Sequence, residues 1–182
     1  HLHADQTHGI NDLRSFFLIN KKQIPVYADN KTSKYLKSTF RYCFKSSNGY
    51  PSILKLNNLQ NKHTFINKNQ KILIEAIPTK HGNIKSICYL INKKIAYASD
   101  TSLFYKKDYP KLTDLDFLIL DCLWYRNHNA HFNLKQVLEL VKILLPKKTI
   151  LTNMHSDLDY EQLKKRLPKN IVPGYDGITV KL

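Results

Sequence analysis

Cysteine, methionine, arginine and acidic residues are all scarce in this chain of 182 residues, and it has no long apolar run. Three cysteines, Cys43, Cys88 and Cys122, are too few and too scattered for a disulfide framework or a CxxC zinc site. Cys88 and Cys122 lie inside apolar, strand-like runs, so buried reduced thiols are expected, as suits a cytoplasmic protein. No apolar stretch approaches the roughly 20 residues of a membrane-spanning helix, and no signal peptide is recognisable. No membrane partner is expected. The only methionine is Met154, and the first residue is a histidine with ligand chemistry. The sequence is therefore read as part of a larger domain, lacking the strand that would hold its first loop.

Acids are outnumbered, 14 Asp+Glu against 29 Lys+Arg, for a formal charge of +15. Such a balance favours an anionic partner: a nucleotide, nucleic acid or an anionic surface. A second reading stands beside it. Only four of the basic residues are arginine, and lysine, asparagine and isoleucine abound, as an AT-rich coding genome produces. Evenly spread lysines then make a solvated surface and specify no partner.

Against these absences stands His1-Leu2-His3-Ala4-Asp5, followed by Gly9. In an extended segment alternate side chains point the same way, so His1, His3 and Asp5 could share a face. Two imidazoles and a carboxylate are first-row transition-metal ligands, with Zn²⁺ the first candidate. His81, Asp100, Asp121 and His155 each follow or close an apolar run, where loops at one sheet edge could converge. A lone histidine is more often an ordinary core or surface residue. Four strand ends carrying ligand-type residues, together with HxHxD, point to a metallo-hydrolase.

The coarse reading alternates strands and helices. A helix is expected over 10–20 and a strand over 24–28. Residues 30–70 read as a surface insertion with a helical first third. Aromatics and lysines interleave there, as packing residues or as a grip on a nucleotide or single strand. Strands follow at 72–77, 87–91, 95–98, 117–120, 149–152 and 178–182, with Asn92-Lys93-Lys94 turning a hairpin. Asn133 should cap a helix whose face is Leu134, Val137, Leu138, Val141 and Leu145, ended by Pro146. Asp159 should cap another over 160–167. The whole of 1–182 reads as one α/β domain with mixed sheets.

The runs His1–Asp5, Gly9–Arg14, Lys80-His81-Gly82, Tyr97–Asp100, His128–Phe132, Asn153–Tyr160 and Tyr175-Asp176-Gly177 resemble the metallo-β-lactamase superfamily. They look closest to its phosphoribosyl cyclic phosphodiesterase branch. The resemblance implies an αββα sandwich, incomplete at the N-terminus. It implies one metal ion on His1, His3 and His81, and a second on Asp5 and His155, with Asp100 bridging. The nucleophile would be a metal-bound hydroxide. His131 matches a histidine of the related tRNA 3′-end-processing nucleases that assists the leaving oxygen, and Asp121 would orient it. His8 and His128 are read as supporting or surface residues, and His63 receives no role. Where the family has a histidine after the aspartate, this chain has Gln6. An amide is a poor zinc ligand, so the second site would be weak, empty or better suited to Mn²⁺.

The expected activity is phosphodiester hydrolysis with one or two Zn²⁺ ions. The expected partners are a small phosphodiester or nucleotide substrate, with nucleic acid as a further candidate and a second copy of the chain in a homodimer. Two alternatives stay open: a tRNA-processing-like endonuclease, and a non-catalytic fragment that binds metal or nucleic acid at most.

Overall fold

Residues 1–67 and 70–181 are described by the computed structural model of the chain. The chain divides into two units, His1–Gln60 and Asn61–Leu182.

At the start of the first unit the backbone is extended at His3 and no further. A helical turn, Ala4–Thr7, follows at once, then a 3₁₀ segment, His8–Leu13, and a helix, Arg14–Asn20. Asp5 therefore lies on a helical turn and not on the extended face proposed for all three HxHxD residues. Strand β1 (Ile24–Ala28) pairs in parallel with β2 (Leu54–Asn58). A parallel pair needs a long crossover, and residues 30–53 supply it.

The expected surface insertion is thus a correction. Its helices, Asn30–Thr39 and Arg41–Phe44, and the residue between them contribute Leu36, Phe40 and Cys43 to a core shared with Ala28, Ile53 and Leu54. Those three residues recur at helical spacing, and the polar and basic residues between them, Lys37 and Arg41 among them, hid the face. Asp29 starts the first helix by accepting the backbone N–H groups of Lys31 and Thr32 at 2.8 and 3.1 Å. Tyr35 and Phe44 pack on this core, while Tyr42 and Tyr50 are exposed.

The second unit is built on an eight-stranded mixed sheet: β3 (Lys62–Asn67), β4 (Gln70–His81), β5 (Ile84–Ile91), β6 (Ile95–Ala98), β7 (Leu103–Phe104), β8 (Phe117–Asp121), β9 (Lys148–Thr152) and β10 (Ile171–Pro173). The strand order is β10-β9-β8-β6-β5-β4-β3, with β7 also pairing β4. β4 is longer than its apolar run because it continues through Pro78. Pro78 has no N–H, and it falls between the stretch of β4 that pairs β3 and the stretch that pairs β7. The β5–β6 hairpin turns at Asn92 and Lys93, both left-handed (φ 50° and 57°). β8 is the central parallel strand, and Leu118 and Leu120 are fully buried.

The helix Leu134–Leu144 begins as expected. Asn133 accepts the Gln136 N–H at 2.8 Å, and the Gln136 side chain accepts the Asn133 N–H at 3.0 Å. Val137, Leu140, Val141 and Leu144 are its buried residues. Leu145 is not part of that face. It is the left-handed residue at the helix end and lies exposed. The expected last strand is also corrected: residues 178–181 are not a strand, and Leu182 lies outside the described residues. Ile178-Thr179-Val180 is β-branched, but composition makes no strand without a partner ladder.

Cys43, Cys88 and Cys122 are all free and buried. Burial pushes the Cys88 and Cys122 thiols up to about 12 and raises Cys43 as well. Since thiolate is the reactive form, a disulfide reagent such as DTNB at pH 8 should titrate none of them in the folded protein. Denaturant should expose all three, and rapid native-state labelling would contradict this packing. Among the described residues, no helix is long and apolar enough to cross a membrane.

Candidate metal centre

β6, β8 and β9 run parallel to one another, while β4 and β6 are both antiparallel to β5. The C-terminal ends of β4, β6, β8 and β9 therefore lie along one edge of the sheet. His81 and Asp121 are the last residues of β4 and β8. Asp100 lies two residues past β6, and Asn153 and His155 follow β9. The strand topology, more than any local sequence signal, gathers these side chains.

His81, Asp100 and His131 offer ligand atoms that all lie within 4.8 Å of one another. His81 is 4% exposed. Its Nδ1 donates to the Ala130 carbonyl oxygen at 2.7 Å, which fixes the tautomer and leaves the Nε2 lone pair for a metal. Gly82 makes this approach possible. It is left-handed (φ +57°), and a Cβ there would stand 3.3 Å from the Ala130 Cβ. Asp100 is 3% exposed, and its Oδ1 accepts from the Asn153 side-chain amide at 3.2 Å. Both residues are left-handed, at φ 42° and 58°. They therefore meet across the end of β8 from the two strands that flank it. Aspartate and asparagine enter the left-handed region more readily than other non-glycine residues, and left-handed residues gather at turns and at functional sites.

His131 lies in the loop before Asn133, and its ring is edge-on to His81 at 4.7 Å between centroids. Its Nδ1 donates to Asp121 Oδ2 at 2.7 Å and stands 3.7 Å from Asp100 Oδ1. The same Asp121 oxygen accepts the Thr101 N–H at 2.8 Å. Asp121 is completely buried. Burial pushes its carboxyl above the usual carboxylate range. The hydrogen bond and charge of His131 oppose that rise, as does the Thr101 N–H, while the nearby Asp100 charge adds to it.

The other histidines have different surroundings. His155 Nδ1 accepts the Asp157 N–H at 3.2 Å, which puts the proton of the neutral ring on Nε2. Its ring packs against Trp124 at 4.8 Å, and it is not one of the three clustered residues. His128 Nδ1 accepts the Ala130 N–H at 3.2 Å, so it shapes the loop that holds His81. In the first unit the rings of His1 and His3 meet edge-on at 4.6 Å. Asp5 is exposed, with the Gln6 amide 3.4 Å from its Oδ2. His8 hydrogen-bonds the Tyr35 hydroxyl at 3.0 Å and packs on Phe40, which occupies it structurally.

The sequence reading gave no role to Asn153, the Thr101 N–H or the Ala130 carbonyl. Asn153 directly follows an apolar strand, which is a usable signal. The two backbone groups carry no side-chain signature. His81, with its tautomer already fixed, and Asp100 are donors that fit a borderline metal ion such as zinc, while His131 beside them has its Nδ1 proton committed to Asp121.

Comparisons with known proteins show the family and the fold. No curated protein matches the chain in sequence. The chain is similar in structure to a diphosphatase of the PhnP family, with TM-score 0.86 and 26% identity over 100% of this chain and 69% of that one. It is similar to the metallo-β-lactamase fold protein YhfI from Bacillus subtilis, with TM-score 0.72 and 16% identity over 98% of this chain and 73% of that one. The short form of human tRNase Z matches at TM-score 0.67 and 14% identity, over 100% and 76% of the two chains. The family model described as a beta-lactamase superfamily domain matches residues 1–154. The chain therefore belongs to the beta-lactamase superfamily and has the α/β metallo-β-lactamase fold of its hydrolases.

Proposed function

We propose that this chain is a zinc-dependent phosphodiesterase acting on a small phosphodiester or nucleotide. The observation that carries this reading is the 2.7 Å bond between Asp121 and His131, beside His81 and Asp100. A departing alkoxide must gain a proton or be stabilised by a cation. A buried carboxylate on Nδ1 orients the imidazole and stabilises its protonated form. Nε2 is then the atom that gives its proton to the leaving oxygen. The Thr101 N–H holds the carboxylate, and Ala130 holds His81, so the pair needs no rearrangement to act.

The family pattern assigns His1, His3 and His81 to one ion. It assigns Asp5 and His155 to a second, with Asp100 shared. Bound there, such ions would supply a water of lowered pKa and positive charge facing the phosphoryl oxygens. Gln6 weakens the second position, where Mn²⁺ is the alternative to zinc. A nucleic-acid substrate is the second reading, and the charge of +15 favours it.

The test is hydrolysis of bis(p-nitrophenyl) phosphate by protein loaded with zinc or manganese, compared with Gln6→His. The added imidazole should raise both the rate and the metal held in the second position. If Gln6→His changes neither, this account of the substitution fails. If both proteins bind metal and neither hydrolyses the ester, the chain is a metal binder and not an enzyme.

A further inference from the structure

Within the first unit, Arg14, Tyr42, Lys45, Ser47, Asn48 and Tyr50 line a cleft of about 440 Å³. Two cations and two phenol rings face it, and no acid lines it. Among the described residues, no ion pair engages Arg14 or Lys45. Asp5, Asp12 and Asp29 are the only acids of residues 1–60, and Asp29 is taken up in capping a helix. Arg14 is half-buried. Burial and the neighbouring Cys43 push the Tyr42 hydroxyl up, and the Arg14 charge opposes that rise.

The backbone that carries the more exposed ring is hydrogen-bonded as a turn. Tyr50 is 70% exposed and Tyr42 49%. The Ser47 N–H donates to the Tyr50 carbonyl at 3.1 Å, and the Tyr50 N–H to the Ser47 carbonyl at 2.9 Å. Asn48 and Gly49 between them are left-handed, at φ 48° and 79°, the Asn-Gly signature of a tight hairpin turn. The Ser52 N–H donates to Ser46 Oγ at 2.9 Å and ties the next pair. A hydrogen-bonded turn thus presents a large aromatic ring to solvent in a cleft that Arg14 and Lys45 also line.

We infer that this cleft binds a nucleotide unit, with its phosphate on Arg14 and Lys45 and its base on the Tyr50 ring. A planar guanidinium beside an ammonium suits phosphate oxygens. Exposed aromatic faces suit bases, since every base has a π-face. The volume falls within the range of pockets that hold small ligands. The site is separate from the hydrolytic reading and stands whether or not the metal centre is active. Its ligand is either a free nucleotide or a nucleotide within an RNA strand.

The experiment is fluorescence anisotropy of a short labelled oligoadenylate, with AMP and inorganic phosphate as competitors. Tyr50→Ala should weaken binding about 5–100-fold, the range for losing one base-stacking ring. Lys45→Gln should weaken it and reduce the salt slope by about one. Lys169→Gln, an exposed lysine elsewhere, should change affinity less than about two-fold, so that general charge attraction is separated from the cleft. Lys45 and Tyr50 are exposed, so both variants should keep their fold. AMP competing mole for mole with the oligomer would identify the free nucleotide as ligand. A much tighter oligomer would identify the strand. Unchanged binding in both Tyr50→Ala and Lys45→Gln overturns the inference. So does inorganic phosphate competing as well as AMP, since the ring would then contribute nothing.

Discussion

Replacing His81 by alanine is expected to remove most of the metal the protein holds, and hydrolysis with it. His81 is 4% exposed, and the Ala130 carbonyl fixes its tautomer at 2.7 Å. Its Nε2 is therefore prepared as a ligand before any ion arrives, and such outer hydrogen bonds commonly change metal affinity 10–100-fold by themselves. Alanine removes the nitrogen and also leaves the half-buried Ala130 carbonyl without its donor. Two measurements separate these effects. Elemental analysis of protein purified without chelator should give near one ion per chain for the wild type and little for the variant. Added zinc should raise the melting temperature of the wild type only, because a ligand that binds the folded state stabilises it. A variant that melts earlier yet holds wild-type metal would leave His81 a structural residue.

Much of this site is legible in the sequence, because the legible part rests on side-chain identity at strand ends. His81 and Asp121 close apolar runs, and Asp100 follows one. The sheet order then brings those ends to one edge. What was illegible rests on backbone. The Ala130 carbonyl, the Thr101 N–H and the left-handed turns at Asp100 and Asn153 position the three polar side chains, and nothing in the residue letters marks the first two. The fold divides in a similar way. The β8 strand and the Asn133 cap were plain because local propensity and tertiary contact agree there. Residues 30–53 were opaque because polar and basic residues such as Lys37, Ser38 and Arg41 interrupt the spacing of Leu36, Phe40 and Cys43. HxHxD misled on conformation, since alternate spacing suggests a strand while the chain turns helical at Ala4. The β-branched run at 178–180 misled for the opposite reason: local propensity was present and a partner strand was not.

His131 decides between a working phosphodiesterase and a metal binder. Its Nδ1 is committed to Asp121, and Asp121 is itself held by the Thr101 N–H. If the ring gives a proton to the leaving oxygen, His131→Ala should lower the rate by about 10²–10⁴, the usual range for losing a general acid. The metal content should remain near that of the wild type. The loss should be smaller for a p-nitrophenyl ester, whose phenolate departs without a proton, than for an alkyl ester of the same phosphate. Asp121→Asn should show the same preference between leaving groups, because the amide would offer a donor where the ring needs an acceptor. The double variant should lose little more than either single one, since both remove one proton-delivery unit. Equal losses on both esters would assign His131 to substrate positioning. Loss of metal along with activity would make it a ligand, as its place beside His81 and Asp100 also permits.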